Sequence, residues 1–246
     1  SSLEPNLQKI PVRSEFTSPI RRLFVPSREG GCIVSADYSQ IELRVLAHIS
    51  GDETMIQAFR AGEDIHARTA AEVYGVPLEA VTQQMRSACK AVNFGIVYGI
   101  SDFALAKNIG VTRAEARGFI DRYFERYSGV RAYMDAAVQS AREKGYAETL
   151  MGRRRYLPEI NSGNFNVRSF GERCAMNSPI QGTAADIIKL AMIRVADALK
   201  AAGMRSRLIL QVHDELILEA PKDEAAQAQR LLKNEMENVM RLSVPL

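Results

Sequence analysis

The sequence predicts an α+β fold in which a block of helices is inserted between two sheet-forming parts. Apolar, β-branched runs at 30–37 and 204–220 are typical of strands, and the second run folds back on itself around a short polar link. Between these runs, residues 52–148 show apolar side chains at helical spacing, glycine turns and few strand signals. A chain of 246 residues is long enough for one or two domains with a hydrophobic core.

The composition argues against several classes of protein. Hydrophobic residues make up 46% and charged residues 25% of the chain, as in ordinary globular proteins. No apolar run reaches the length of about 18 residues that a membrane helix needs, and the N-terminus does not resemble a signal peptide. Three widely separated cysteines predict reduced thiols rather than disulfides or a zinc site. The net charge of +3 does not by itself indicate nucleic acid.

The first sheet-forming part is predicted within residues 1–50. Residues 1–30, with prolines spaced through them, are expected to form extended segments and short strands. Residues 30–37 predict a buried strand that ends at Asp37, and the periodicity of 39–50 predicts a helix with Ser39 as its N-cap. Asp37 is therefore expected at a strand end, where ligands commonly bind to sheets.

The later elements are predicted from the same kinds of pattern. Turns are expected to divide the helical block at Gly62, 75–77, Gly99, Gly110, Gly129 and Gly145. Residues 149–160 predict an extended segment or a hairpin, and residues 166–200 predict a helix interrupted near Pro179–Gly182. A hairpin at 204–220 and an amphipathic helix at 222–242 complete the prediction.

Two aspartates are predicted at the tips of strands. Asp37 ends the first strand, and Asp214 lies in the polar link "VHDE" (212–215) between two apolar runs. Either residue alone is more often a cap or turn residue. On neighbouring strands, however, the two carboxylates would form an oxygen site for Mg²⁺, the kind of site that supports phosphoryl transfer.

A second pattern lies in "RSACKAVNFGIVYG" (86–99), where Arg86, Lys90, Phe94 and Tyr98 recur every four residues. On a helix, this spacing places the two cations and the phenylalanine along one stripe. Such a stripe suits a polyphosphate with a sugar or base beyond it. Spacing alone also fits, and slightly favours, a solvated Arg–Lys pair above a core phenylalanine.

Other polar residues give weaker signals. Arg173, Asn177 and Gln181 also recur every four residues, and such side chains can bind acceptors in the DNA minor groove. His66 alone is more often a surface or core histidine than a ligand. Two arginine clusters are also present: Arg13, Arg21, Arg22 and Arg28 near the start, and Arg153, Arg154 and Arg155 later. Such clusters are more often solvated than bound to phosphate.

Together these segments resemble family A DNA polymerases over essentially the whole chain. "DYSQIELRVLAHISGD" (37–52) resembles that family's motif A, "RSACKAVNFGIVYG" its motif B and "QVHDE" (211–215) its motif C. The segments "PNLQKIPVR", "GRRRYLP" and "NSPIQGTAADIIKLAM" are similar to the family's intervening segments. The resemblance implies a right-hand polymerase without a thumb. The implied parts are an antiparallel palm sheet backed by helices (1–51 and 151–246) and an inserted helical fingers subdomain (52–150).

The resemblance also implies roles for individual residues. The implied ligands of two Mg²⁺ ions are Asp37, Asp214 and the backbone carbonyl of Tyr38. The implied nucleotide-binding residues are Gln40, Glu42, His66, Arg86, Lys90, Phe94 and Tyr98. Among these, Lys90 would also protonate the leaving pyrophosphate, and Glu42 would lie under the 2′ position of the sugar. The implied DNA-binding residues are Arg173, Asn177, Gln181, His213 and Glu215.

The implied function is template-directed DNA synthesis, in which deoxynucleotides are added to a primer 3′ end and pyrophosphate is released. The expected partners are primed DNA, dNTPs and a separate chain carrying thumb or nuclease domains; no membrane partner is expected. The expected location is the bacterial cytoplasm, at the nucleoid. Because the family's thumb and C-terminal tail are not in this sequence, the chain could instead be a truncated module that binds DNA and dNTP with little independent catalysis.

Overall fold

The computed structural model describes residues 18–246, and the chain forms two compact units within that range. The first unit comprises residues 18–39, Ile187–Met240 and Leu246; the second comprises Gln40–Asp186 and Arg241–Pro245. The predicted extended segments of residues 1–17, with Arg13, lie outside the described residues, as does the side chain of Arg21. The division into palm and fingers at residues 51 and 150 stays a prediction.

The described elements begin with a 3₁₀ helix, Ser18–Leu23. In chain order they continue with β1 (Gly31–Asp37), α1 (Ile41–Ser50), α2 (Glu53–Arg60), α3 (Ile65–Tyr74), α4 (Gln83–Val97), α5 (Asp102–Ile109), α6 (Arg113–Arg126), α7 (Ser128–Lys144), β2 (Tyr146–Glu148), β3 (Arg154–Tyr156), α8 (Phe165–Ala201), β4 (Arg207–Val212), β5 (Glu215–Pro221) and α9 (Ala225–Glu237). Short 3₁₀ turns also occur at Leu78–Ala80 and Pro158–Asn161.

The first unit is built on an antiparallel sheet with the strand order β1-β5-β4. Helix α9 packs against β1 and β5 and buries Ala228, Leu232 and Met236. The prediction that β1 is a buried strand was wrong, because alternate side chains of a strand point to opposite faces and only one face is covered. Ile33 on the uncovered face is 42% exposed. The predicted hairpin is confirmed: Val212 pairs with Glu215 around the two-residue link His213–Asp214.

The second unit is mainly helical, as predicted, but two local predictions about it were wrong. Gln40, in a left-handed conformation with φ of 56°, precedes α1 in place of the expected N-cap Ser39, and its side chain makes no capping hydrogen bond. Gly129 lies inside α7 rather than in a turn. A side chain there would collide with Asp52, whose carboxylate accepts a 2.9 Å hydrogen bond from the Gly129 backbone N–H.

Helix α8 runs without interruption through Pro179, contrary to the predicted break. A proline removes one intrahelical hydrogen bond, but buried neighbours such as Ala175 and Ile180 keep the helix packed on either side of it. Hairpin β2–β3 confirms the prediction for this segment, and it lies close to α8. Gly182 permits this approach, because any side chain there would overlap Thr149. Helix α9 ends at Glu237, earlier than predicted.

Candidate functional site

The two strand-tip aspartates are neighbours in the first unit. Asp37, the last residue of β1, is in register with Glu215, the first residue of β5. Asp214 immediately precedes Glu215, and its carbonyl accepts a 3.2 Å hydrogen bond from the Tyr38 backbone N–H. His213 adopts a left-handed conformation with φ of 55°, which closes the two-residue link. The sheet register therefore brings Asp37 and Asp214 side by side.

The negative charge of this pair is poorly compensated. Partial burial and the adjacent Asp214 carboxylate raise the pKa of Asp37 to about 6. A side-chain hydrogen bond to Asp214 and the charge of Glu215 act in the same direction, and only His213 opposes them. Within residues 18–246 no cluster of three or more His, Cys, Asp or Glu side chains forms a metal site. The pair thus offers two hard-oxygen ligands, and further ligands would have to come from backbone carbonyls, water or substrate.

Tyr38 is fixed beside this pair by its side chain. The ring is 4% exposed, and its hydroxyl donates a 2.7 Å hydrogen bond to the Met236 carbonyl. Burial raises the pKa of this phenol, so the hydroxyl stays protonated. The phenol is therefore occupied in the core, and the backbone of Tyr38 is the part that can contribute to a cation site.

A second group of the predicted site residues lies on α3 and α4 of the second unit. Arg86 on α4 forms a 2.6 Å ion pair with Asp64, whose side chain also caps α3. The Lys90 ammonium lies 6.0 Å from the centre of the Phe94 ring, and the rings of Phe94 and His66 are 5.8 Å apart. The packing of α3 on α4 adds His66 to the cationic stripe, which its position in the sequence alone could not show.

His66 is held almost completely out of water. It is 2% exposed, and its pKa is lowered to about 4. Burial is the largest cause; Asp64 opposes the decrease, whereas Arg86 and Lys90 add to it. The ring is therefore neutral at pH 7. Its Nδ1 atom lies 2.9 Å from the side-chain nitrogen of Asn93. Sequence reasoning missed Asn93, and it missed Asp64 although an aspartate before a helical pattern is a recognisable N-cap signal.

A third group lies around the end of α4, also in the second unit. The Tyr98 hydroxyl donates a 2.9 Å hydrogen bond to Glu42 and also interacts with Gln181. Gly99 has φ of 64°, and a side chain there would collide with Arg173. The side-chain oxygen of Asn177 is buried without a hydrogen-bond partner in the described chain. An unsatisfied buried acceptor is costly.

The Arg153–Arg155 cluster is tied to partners in the second unit rather than left free in solvent. Arg153 pairs with the buried Asp186 at 2.7 Å, and Arg154 pairs with Glu148 at 2.6 Å. Arg155 donates a 3.3 Å hydrogen bond to the Ser178 hydroxyl. Arg153 and Arg155 therefore tie the β2–β3 hairpin to α8, whereas the Arg154 pair lies within the hairpin. In the part of the chain that the structure describes, no helix combines the length and apolarity needed to cross a bilayer.

The fold is α+β, as the sequence predicts, and its carboxylate pair and cationic helix face are of the kind that phosphoryl-transfer proteins use. The chain belongs to DNA polymerase family A, whose family profile matches residues 1–246. The chain is 58% identical over 246 residues to DNA polymerase I of Bacillus subtilis (strain 168) and 59% identical to that of Geobacillus stearothermophilus. Both matches cover 100% of this chain and 28% of the relative.

A solved structure agrees with this assignment. It is the POL domain of Pol1 from M. smegmatis in complex with DNA primer-template and dNTP, which is 48% identical to this chain. The two folds superpose with a TM-score of 0.95 over 100% of this chain and 43% of that chain. The sequence-based resemblance to family A is thus confirmed. This chain spans only 28% of the length of the curated relatives.

Proposed function

We propose that this chain carries the catalytic core of a DNA-directed DNA polymerase, which adds deoxynucleotides to a primer 3′ end and releases pyrophosphate. The observation that carries the proposal is the Asp37–Asp214 pair at adjoining strand ends. The relatives named DNA polymerase I, and the solved homologue with primer-template and dNTP, support the same chemistry. Primed DNA and dNTPs are the proposed partners, which would place the protein at the bacterial nucleoid.

Two Mg²⁺ ions fit the carboxylate pair. Mg²⁺ prefers oxygen ligands and usually binds through one or two carboxylates together with waters and substrate phosphates. Burial and, after it, repulsion by the neighbouring Asp214 carboxylate raise the pKa of Asp37, and bound cations would offset this repulsion. Asp37, Asp214 and the Tyr38 carbonyl would hold the ions. Bound there, the ions would supply charge neutralisation at the phosphate and acidify the primer hydroxyl.

The cationic stripe would bind the triphosphate of the incoming nucleotide. Arg86 and Lys90 provide two charges one helical turn apart, and His66 adds a neutral hydrogen-bonding group. Arg86 is already paired with Asp64 in the structure, so the triphosphate would have to share or replace that pairing. The Lys90 ammonium would donate a proton to the leaving pyrophosphate. Phe94, next to Lys90 and His66, would pack on the sugar and base.

The third group would position the nucleotide sugar and the DNA. Glu42, held by Tyr98, would exclude a 2′-hydroxyl, and Gln40 would line the same nucleotide site. Arg173, Asn177 and Gln181 would donate to the minor-groove acceptors that every base pair presents. His213 and Glu215 flank Asp214, and they would lie near the primer terminus. Positioning and charge neutralisation, rather than covalent chemistry, would provide most of the rate enhancement.

The direct test is Mg²⁺-dependent extension of a primed DNA template by the 246-residue chain. Extension by the wild type, and none by Asp214→Ala, would support a self-sufficient catalytic core. The matched control is Asp223→Ala, which removes an exposed carboxylate from the same unit and should extend normally. Nucleotide binding without extension by any variant would support the alternative, a binding module whose catalysis needs a separate chain. If the chain neither binds nucleotide nor extends the primer, both interpretations are contradicted.

A further inference from the structure

A buried amide lies directly behind His66. The side-chain nitrogen of Asn93 is 2.9 Å from His66 Nδ1, and the two residues are 0% and 2% exposed. An amide nitrogen can only donate a hydrogen bond, so Nδ1 must accept it and can carry no proton. The ring is neutral at pH 7 because burial lowers its pKa to about 4. Its single N–H proton is therefore on Nε2.

The amide oxygen of Asn93 points to a second buried neighbour, Thr69. The amide oxygen accepts a 3.2 Å hydrogen bond from the hydroxyl of Thr69, which is 0% exposed. The single proton of this hydroxyl is shared between the amide oxygen and the Ile65 carbonyl, which lies 2.7 Å away. The hydroxyl is also 3.4 Å from the Tyr127 hydroxyl. The result is a buried network that joins Tyr127, in the link between α6 and α7, to α3 and α4. Reversing the amide would direct its carbonyl at His66 and place the proton on Nδ1 instead.

The outer nitrogen of His66 is free to bind a ligand. Its Nε2 atom makes no hydrogen bond with any residue between 18 and 246, although the ring is almost completely buried. The charged groups that act on this ring include Arg86 and Lys90, the two cations of the proposed triphosphate site. Phosphate oxygens at pH 7 are mainly acceptors, so they can bind an Nε2–H group but not an Nε2 lone pair.

We propose that Asn93 is a positioning residue that holds His66 in the Nε2–H tautomer, so that the neutral ring donates a hydrogen bond to a phosphate of the incoming nucleotide. The nature of the ligand rests on the proposed function, whereas the tautomer does not. Asn93 itself touches no substrate. It acts through His66, much as a group behind a catalytic or metal-bound histidine fixes which ring nitrogen carries the proton.

The first test measures the tautomer in the ligand-free full chain. Long-range ¹H–¹⁵N NMR at pH 7 should show His66 with a proton on Nε2 and none on Nδ1. The chain has three histidines, and the His66→Gln variant identifies the signals of His66. In Thr69→Val, which keeps the amide but removes its hydroxyl donor, the preference for Nε2–H should weaken. A proton on Nδ1 in the wild type would overturn the proposal, and this result requires neither activity nor a ligand.

The second test asks whether Asn93 acts on nucleotide binding through His66. Calorimetry with dATP and Mg²⁺ should give a dissociation constant about tenfold higher for Asn93→Leu than for the wild type, which is the effect of one hydrogen bond. In a His66→Gln background, Asn93→Leu should change the dissociation constant by less than about twofold. Equal losses in both backgrounds would show a general structural role and overturn the proposal.

The two tests separate failure of the inference from failure of the proposed function. If wild-type protein does not bind dATP, the triphosphate is wrong as the ligand, and the proposed function fails with it. The NMR result would still decide the tautomer. If dATP binds and Nδ1 carries the proton, the proposed function stands and the role of Asn93 is refuted.

Discussion

The hydroxyl of Tyr98 donates a 2.9 Å hydrogen bond to Glu42 and thereby ties the end of α4 to the first turn of α1. Burial, followed by the interaction with Glu42, raises the pKa of Tyr98, so the phenol remains a donor at neutral pH. The carboxylate is consequently held in one place. A fixed carboxylate at the proposed sugar position would reject a ribonucleotide, because the 2′-hydroxyl would have to displace this hydrogen bond or overlap with Glu42.

We therefore expect Glu42→Ala to relax sugar selection. The ratio of kcat/KM for dNTP to that for NTP should fall by about 100-fold, the size of selection that a pocket commonly achieves against an added hydroxyl. Tyr98→Phe keeps the Glu42 carboxylate but removes its hydrogen bond to the phenol, and this variant should decrease the ratio less. Glu53→Ala, an exposed glutamate on α2, serves as the matched control and should leave the ratio unchanged. An unchanged ratio in Glu42→Ala would show that another group excludes the 2′-hydroxyl.

Replacing one member of the aspartate pair should separate stability from activity. In the absence of divalent cations Asp37 and Asp214 repel each other, so Asp214→Asn should raise the free energy of unfolding measured in EDTA. A gain of about 1 kcal/mol would raise Tm by roughly 2–4 °C in a protein of this size. The same variant should lose primer extension, a trade-off that is common at functional sites.

The matched control for this prediction is Asp223→Asn. Asp223 is 72% exposed and is paired with Arg205 at 2.5 Å, so its replacement removes a carboxylate that already has a cationic partner. Its free energy of unfolding should stay the same or decrease slightly. A loss of stability in Asp214→Asn comparable to that in the control would mean that the pair is not strained.

The sequence was sufficient for features that depend on local periodicity. The apolar runs around "VHDE" predicted hairpin β4–β5, and the spacing of four predicted that Arg86, Lys90 and Phe94 share one face of a helix. Asp37 could be placed at a strand end for the same reason. That it lies beside Asp214 depends on sheet order, since β1 pairs with the distant β5, and here the family resemblance favoured the pairing.

Features that depend on tertiary packing could not be predicted from the sequence. A lone histidine gave no sign that the packing of α3 on α4 would bury it against Asn93. Pro179 predicted a helix break, but the surrounding core outweighs the loss of one hydrogen bond, and α8 continues. Ser39 is a good N-cap residue by type, yet the chain enters α1 through a left-handed Gln40 instead. In each case longer-range contacts override a local preference.

Arg153 should contribute to stability through Asp186. The Asp186 side chain is 3% exposed and accepts hydrogen bonds from Arg153 and from the Thr149 hydroxyl, at 2.8 Å for the hydroxyl. Arg153→Ala leaves this buried carboxylate without its charge partner, so the free energy of unfolding in a urea titration should fall by about 2–4 kcal/mol. In an Asp186→Asn background, the same substitution should cost much less, because no buried charge remains.

Arg154→Ala provides the comparison for that prediction. Arg154 pairs with Glu148 in the same hairpin, but the two side chains are 52% and 40% exposed, so the loss should be less than about 1 kcal/mol. Equal losses for the two arginines would mean that burial of Asp186 does not increase the strength of its pairing.

The surroundings of His66 also make a prediction about acid stability. The ring faces Asp64 from its own helix cap and Arg86 and Lys90 from α4, with the neutral Asn93 behind it. Asp64 favours protonation and the two cations oppose it, but burial is the largest effect, and the net result is a pKa of about 4 compared with an ordinary 6.5. The unfolded chain therefore binds this proton more readily than the folded chain between these two values.

Because the unfolded state takes up more protons, acid should favour unfolding through His66. As the pH is lowered from about 6.5 towards 4, the wild type should lose free energy of unfolding relative to His66→Gln, which cannot be charged. The difference should approach roughly 3 kcal/mol, since each unit of pKa corresponds to about 1.4 kcal/mol. Urea titrations of both proteins at several pH values measure this difference in the free energy of unfolding. The contributions of all other titrating groups cancel in the difference, because both proteins contain them. A difference that does not change with pH would mean that the folded protein already accommodates the charged ring.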